Sequence, residues 1–136
     1  MKIKEAVKLY NVLGEAKVSS LEDSEIIKII KTRKILREAV ESYEQFLNDV
    51  RNKFKPDDFD IIQSKIHKWN ILSDDEKITI NVYLKKYEDK IKDVVKDESE
   101  KELDVVIEKL TKESIINLLK QNNWSINKLD EMSPML

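Results

Sequence analysis

The longest regular pattern in the chain is residues 22–55, which read EDSEIIKIIKTRKILREAVESYEQFLNDVRNKFK. Apolar residues recur there at alternating steps of three and four positions, the spacing of one face of an α-helix. Only Arg33 interrupts this seam, whose members are Ile26, Ile29, Arg33, Leu36, Val40, Tyr43, Leu47, Val50 and Phe54. Three further apolar residues, Ile30, Ala39 and Phe46, widen the stripe. The pattern predicts one long helix that packs on more than one neighbour.

Shorter helices are predicted on both sides of this stretch. Pro56 ends the long helix, because its ring disfavours helical backbone angles at the residue before it. On the N-terminal side, residues 3–14 carry one apolar stripe, and we expect Gly14 to end that helix in the left-handed conformation. On the C-terminal side, Asp57 or Asp58 is expected to cap a third helix. Its apolar face contains Phe59, Ile62, Ile66 and Trp69.

Polar residues of the capping type mark the starts of three later helices. Ser73 and Glu76 have the spacing of a capping box, which predicts a fourth helix over 74–97. Its apolar face contains Ile80, Leu84, Tyr87, Ile91 and Val95. Thr111 is expected to cap a helix that ends at an Asn122–Asn123 turn, and Ser125 a last short helix.

The segment between these groups, residues 99–110, fits two periodicities. Leu103, Val105 and Ile107 alternate with other residues, which is typical of a strand rich in β-branched side chains. Leu103, Val106, Ile107 and Leu110 also fit helical spacing. We favour a short extended element near 102–108, with the helical alternative open.

Composition supports a mainly α fold. The chain of 136 residues contains one Gly and two Pro, few for a protein built of tight turns between strands. This length suits one domain, 1–136. We expect a small helical bundle in which the long helices 22–55 and 74–97 pair in antiparallel fashion.

Charge and cysteine content restrict the class of protein. The net charge is −2, but residues 1–55 carry +3 and residues 56–136 carry −5. Cysteine is absent, the first residues lack the apolar core of a secretory signal, and no uncharged run is long enough to span a membrane. We therefore expect a cytoplasmic protein with no membrane contact.

Candidate chemistry is sparse. The 27 carboxylates are spread along the polar sides of the predicted helices, and His67 is the only histidine. Asp57–Asp58 is better explained by capping than by acid–base catalysis. Because neither a zinc pattern nor a glycine-rich phosphate loop is present, we expect no catalytic residue, metal, cofactor or small-molecule substrate.

The one charge cluster that favours a partner lies on the long helix. No acidic residue occurs from Ile26 to Arg37, where Lys28, Lys31, Lys34 and Arg37 cover about half the circumference at about 100° per residue. This face is a candidate for phosphate or partner contacts, although a solvated surface explains it more simply. Arg33, in the apolar seam, is a candidate for setting helix specificity by pairing with a carboxylate of helix 74–97.

Three stretches support a resemblance: LYNVLGEAK at 9–17, KITINVYL at 77–84, and LTKESIINLL at 110–119 with NWS at 123–125. Together they resemble small uncharacterised helical proteins of gut Bacteroides genomes and prophages, and more distantly small proteins encoded among phage structural genes. The resemblance implies a strand at 102–110 and a cytoplasmic or virion-associated location. It also implies a phage-derived protein with an interaction or assembly role. The alternative is a small nucleic-acid-binding regulator that uses the 28–37 face. A protein partner or self-association is expected in the first case.

Overall fold

The computed structural model describes all residues, Met1–Leu136, and 74% of them are helical, which confirms the mainly α fold. The helices, in chain order, are α1 (Ile3–Glu15), α2 (Asp23–Phe54), α3 (Phe59–Ile66), α4 (Asp74–Ser99), α5 (Lys112–Asn122) and α6 (Ile126–Asp130). Two single 3₁₀ turns lie at Trp69–Ile71 and Ser133–Met135. Long helices pack against each other, α1 on α2 and α2 on α4.

Residue contacts divide the chain into two compact units. The first unit contains Met1–Glu44 and Ser99–Leu136, and the second contains Gln45–Glu98. Helix α2 therefore contributes its N-terminal part to the first unit and its C-terminal end to the second. The expectation of a single folding domain over 1–136 stays a prediction.

The core of the first unit is built from α1, the N-terminal part of α2 and the C-terminal elements. Its twelve buried apolar residues are Ala6, Leu9, Val12, Leu13, Leu21, Ile29, Leu36, Val40, Leu110, Leu118, Met132 and Met135. Three of the α2 residues in this list, Ile29, Leu36 and Val40, come from the predicted seam. Ile30, which we expected to widen the stripe, is instead 60% exposed, because it lies about 100° around α2 from those three residues and outside the buried stripe.

The segment after α4 is extended, as favoured from its alternation. Lys2 and Glu102 form an isolated antiparallel bridge, and no helix occurs between Ser99 and Lys112. Leu103, Val105 and Ile107 pack on the core of the first unit, whereas Val106 is exposed. Strand periodicity was therefore the correct signal here, and the helical alternative is wrong.

The second unit has a smaller core. Its buried apolar residues are Val50, Ile62 and Ile80, one each from α2, α3 and α4. The Phe59 and Tyr87 rings add an aromatic contact, with centroids 5.3 Å apart.

The predicted caps at Ser73, Thr111 and Ser125 are present. Thr111 Oγ1 accepts a hydrogen bond from the Ser114 amide, and Ser125 Oγ from the Lys128 amide, each at 3.2 Å. At the start of α4, the Glu76 amide donates to Ser73 Oγ at 3.2 Å, but the Glu76 side chain accepts from the Ser73 hydroxyl at 3.1 Å rather than from the Ser73 amide, so only one half of the predicted capping box forms. Asn123 has the left-handed φ of 51° that its turn requires.

Two predicted helix ends differ from the structure. Gly14 lies inside α1, one residue before its end, and has no positive φ. Helix α3 ends at Ile66, because the Lys68 amide bonds to the Lys65 carbonyl in 3₁₀ fashion, and Trp69 begins a separate turn.

Asp58 occupies the position before α3, but its side chain does not cap that helix. Its Oδ1 instead accepts a hydrogen bond from the Tyr83 hydroxyl at 3.0 Å. Burial, followed by this hydrogen bond, raises the pKa of the Tyr83 hydroxyl.

Candidate protein-interaction surface

The four basic residues predicted on α2 do not form one free surface. Lys28 Nζ lies 3.4 Å from Glu25 Oε1 and donates to the Lys109 carbonyl at 3.0 Å. Glu25 is only 4% exposed, so this pair lies against the core of the first unit. Lys28 therefore holds the extended segment to α2 and does not belong to the candidate surface.

The other three basic residues, Lys31, Lys34 and Arg37, are exposed. Lys31 and Lys34 lie on the side of α2 that faces away from Ile29 and Leu36, which are 4% and 0% exposed, and Arg37 lies at the margin of that side. At 100° per residue, Lys31 and Lys34 fall on either side of a line through Ile27.

Two large apolar side chains lie between these cations, and a third exposed isoleucine, Ile35, lies beyond Lys31. Ile27 is 49% and Ile30 is 60% exposed. We define the α2 outer face as Ile27, Ile30, Lys31, Lys34 and Arg37. It combines an apolar centre with a basic border, so it can bind an anionic surface that also offers apolar groups.

Arg33 lies on another side of α2 and contacts α1. Its Cζ lies 4.1 Å from the centroid of the Tyr10 ring, in cation–π geometry. A Cβ at position 14 would lie 3.0 Å from Arg33 Nη2. Gly14 thus leaves room for the guanidinium over α1, which explains a glycine inside a helix.

The expected carboxylate partner of Arg33 on helix 74–97 is replaced by the ring of Tyr10. Arg33 Nε is buried and has no hydrogen-bond partner. The seam position holds the planar guanidinium because an aromatic face, rather than an anion, receives it.

No known protein family, curated protein or solved structure matches this chain. The resemblance to Bacteroides and prophage proteins therefore stays a prediction, as does the absence of catalysis. None of the helices is both long enough and apolar enough to cross a membrane.

Polar residues also cluster near the start of α1. An open cavity of about 600 Å³ beside the start of α1 is bordered by charged side chains of both signs, among them Glu5, Lys8, Asp130 and Glu131. The hydroxyl of its Ser133 donates to the Asp130 carbonyl. No group of three or more His, Cys, Asp or Glu residues has the arrangement of a metal site, and His67 is exposed. The α2 outer face is therefore the better candidate.

Sequence reasoning identified the cations of this surface but missed its isoleucines. Ile27 and Ile30 lie in a run of four isoleucines between Ile26 and Ile30, of which the seam includes Ile26 and Ile29. The signal that could have identified them is that these apolar residues lie outside the helical seam, on a side of the helix that the seam does not bury.

Proposed function

We propose that this protein is a non-enzymatic interaction or assembly protein that binds an acidic, partly apolar protein surface through the α2 outer face. The observation that carries the proposal is the exposure of Ile27 and Ile30 next to Lys31 and Lys34. Isolated exposed apolar residues are common, but two neighbours within one basic border form a recognisable binding feature.

The two kinds of residue would have different roles in binding. Burial of an isoleucine side chain contributes about 1.5–3 kcal/mol when it is complete, so Ile27 and Ile30 would supply most of the affinity. The cations at the border would increase the association rate and select an acidic partner. No acidic residue occurs between Ile26 and Arg37, whereas exposed Glu38 and Glu41 lie one helical turn beyond Lys34 and Arg37, so Lys31 is the cation of this face with no acid one turn away.

Nucleic-acid binding is the second candidate, and the exposure of Lys31, Lys34 and Arg37 favours it. Phosphate contacts need only the cations, whereas an acidic protein surface also needs the isoleucines. Lys28, which is bound to the Lys109 carbonyl, reduces the cations available to a phosphate backbone.

Site-specific photo-crosslinking tests the proposal. An aliphatic photoreactive amino acid, which keeps an apolar side chain at this position, replaces Ile30 in the full chain, which is expressed in its native host. We expect a defined product that is lost in Lys31→Glu/Lys34→Glu and retained in Lys85→Glu/Lys86→Glu, a matched pair on the exposed side of α4. The identified partner is then purified and its affinity measured with both variants. A product that is unaffected by Lys31→Glu/Lys34→Glu contradicts the proposal.

A second experiment separates the two candidates. Binding of the full chain to a duplex DNA probe is measured by fluorescence polarisation over a salt series, for the natural sequence and for Ile27→Ser/Ile30→Ser. Strongly salt-dependent binding that Ile27→Ser/Ile30→Ser leaves unchanged supports the nucleic-acid alternative. We expect no such binding, together with loss of the protein crosslink when Ile27 alone is changed to Ser.

A further inference from the structure

The extended segment after α4 presents one face to solvent. Leu103, Val105 and Ile107 pack on the core, and the residues between them point the other way. Asp104, Val106 and Glu108 are exposed, and Val106 is 86% exposed. This solvent-facing row therefore has an apolar residue between two carboxylates.

The same three residues have free backbone groups. The Lys101 carbonyl and the Leu103 amide bond to Ile3 and Met1 at 2.9 and 2.8 Å. Because alternate residues of a strand direct their N–H and C=O to the same edge, Asp104, Val106 and Glu108 direct theirs to the opposite edge. None of these three residues forms a backbone hydrogen bond within the chain. We call this edge, with Asp104, Val106 and Glu108, the 104–108 edge.

The 104–108 edge has a defined end. The Leu110 amide donates to the Met135 carbonyl at 2.8 Å, so the chain itself pairs the segment from that point on. Lys28 Nζ fixes the neighbouring Lys109 carbonyl at 3.0 Å. Both contacts and the packed side chains hold the segment in the extended conformation before any partner arrives, which reduces the entropy lost on binding.

We infer that the 104–108 edge binds an extended, basic peptide segment of a partner by strand addition. The inference rests on the proposal that this is an interaction protein, but it uses a surface separate from the α2 outer face. An exposed row of unpaired N–H and C=O groups is a template for a further strand. Side chains opposite Asp104 and Glu108 would be Lys or Arg, and an apolar side chain would lie opposite Val106.

Charge argues against a second copy of the chain as the occupant. Antiparallel pairing centred on Val106 would place Asp104 of one copy opposite Glu108 of the other. Like charges directly opposite each other destabilise a strand pair, whereas opposite charges stabilise it. Acidic residues on this edge therefore oppose self-pairing and favour a basic strand.

A synthetic peptide, Ac-TKTVTKT-NH2, is the probe for this edge. In antiparallel pairing its two Lys and its Val lie opposite Asp104, Val106 and Glu108, and these residues exchange hydrogen bonds with the protein. Two N-methylated forms are controls, one methylated at the Lys and Val residues and one at the Thr residues between them. We expect the first to lose binding and the second to retain it.

Variants of the full chain test the same pairing from the protein side. Val106→Pro removes an amide that bonds to nothing within the chain, so the thermal melt should stay close to that of the natural sequence. Val106→Thr keeps the amide and is the matched control. We expect Val106→Pro to raise the Kd for the peptide at least about tenfold, because a strand-pairing donor is lost, and Val106→Thr to leave it nearly unchanged.

Charge reversal gives a third measurement. Asp104→Lys/Glu108→Lys should lose the basic peptide and bind the corresponding peptide with Glu in place of Lys. The control Asp93→Lys/Asp97→Lys makes the same net change at exposed positions of α4 and should bind as the natural sequence does.

Amide hydrogen exchange decides between strand addition and simple charge attraction. On peptide addition, exchange should slow at Asp104, Val106 and Glu108 but not at Val105 and Ile107. No binding at millimolar peptide, equal binding of the two N-methylated forms, or protection of these amides by dimerisation without peptide would each overturn the inference. If the crosslink at position 30 persists in that case, the proposed function stands. If the peptide binds as expected but no crosslink forms at position 30, only the proposal for the α2 outer face is overturned.

Discussion

At the scale of single residues, the contact between Arg33 and Tyr10 connects α2 to α1. The guanidinium stacks on the ring at 4.1 Å and lies above Gly14, which is one turn further along α1. A cation–π contact contributes about 0.5–2 kcal/mol, depending on how far the pair is removed from water. The three residues therefore connect α1 and α2 at a point where the seam lacks an apolar side chain.

Gly14→Ala tests the close approach. In a helix interior this change normally adds about 0.5–1 kcal/mol of stability. We expect that gain to be absent, because the new Cβ would lie 3.0 Å from Arg33 Nη2 and displace the guanidinium from Tyr10. In an Arg33→Ala background the gain should reappear. Chemical denaturation of the four chains measures this double-mutant cycle, and a full gain in the presence of Arg33 would contradict the described contact.

Substitutions of Arg33 itself should separate stacking from charge. Arg33→Leu is expected to cost less than about 1 kcal/mol, since Nε has no partner to lose and a leucine can pack on Tyr10. Arg33→Glu should be clearly more destabilising, because it places an anion on the negative face of the ring. Thermal melts compare it with Lys34→Glu on the exposed side of α2. Equal melting temperatures for Arg33→Glu and Lys34→Glu would mean that the Arg33 side chain is exposed to solvent and does not contact Tyr10.

At the scale of elements, side chains at the end of α5 hold the loop between α1 and α2. Asn122 Oδ1 accepts from the Lys17 amide at 2.7 Å, and Asn122 Nδ2 donates to the Lys17 carbonyl at 3.0 Å. Gln121 Oε1 accepts from the amide and the hydroxyl of Ser20 at 3.1 and 2.6 Å. The Asn122 and Gln121 side chains thus provide hydrogen-bond partners for backbone N–H and C=O groups of the loop.

Asn122→Asp should weaken this connection. The carboxylate can accept from the Lys17 amide but cannot donate to the Lys17 carbonyl, where it meets another acceptor. We expect a loss of about 1–2 kcal/mol in the free energy of unfolding, from denaturant titration. Asn48→Asp, on the exposed surface of α2, is the control and should change little. Equal effects of the two substitutions would show that the loop is not held by Asn122.

The pairing of Lys2 and Lys4 at the chain start with Glu100, in the segment after α4, should depend on pH. Hydrogen bonds from Lys2, at 2.6 Å, and from Lys4 lower the pKa of the Glu100 carboxyl from 4.5 to about 2. A carboxyl whose folded pKa lies below its unfolded value stabilises the protein above the unfolded pKa, and this stabilisation is lost as pH falls through the folded pKa. The effect should therefore be complete above pH 4.5 and disappear towards pH 2.

Glu100→Gln measures that effect. Its melting temperature should lie below that of the natural sequence at neutral pH, and the difference should shrink between pH 4.5 and about 2. Asp97→Asn, at an exposed position of α4, is the control. A difference for Glu100→Gln that does not change with pH would contradict the assignment.

At the scale of the whole molecule, a net charge of −2 gives little repulsion between copies. The α2 outer face exposes two isoleucines beside three cations, so the burial of the isoleucines against a second copy has to exceed the repulsion between the cations, and we expect only weak self-association, at high micromolar concentration. Light scattering coupled to size exclusion should show a mass above the 16.1 kDa of one chain. The double variant Ile27→Ser/Ile30→Ser should be monomeric. The control Ile78→Ser/Val82→Ser, on the exposed side of α4, should still self-associate. A monomeric mass at every concentration would contradict the expectation of self-association.

Local patterns located the helices of this protein, although they gave the wrong ends for α1 and α3. The α2 seam, the caps at Thr111 and Ser125, and the alternation of Leu103, Val105 and Ile107 all appear in the structure. Each depends on residues within a few positions of one another, since helical and strand periods and capping bonds are short-range. The cations of the α2 outer face could be predicted for the same reason, as residues three apart share a side of the helix.

Partners that are distant in sequence were decided only by the tertiary structure. Tyr10 rather than a carboxylate receives Arg33, the Lys109 carbonyl removes Lys28 from the basic face, and Tyr83 takes the Asp58 carboxylate. The pairs are separated by 23, 81 and 25 positions, so no periodicity or capping rule connects them. The positive charge of Arg33 at a seam position indicates that its guanidinium needs a partner. The sequence does not choose between an aromatic face and an anion, because a guanidinium can pair with either. Which of the two lies opposite it depends on how α1 packs on α2.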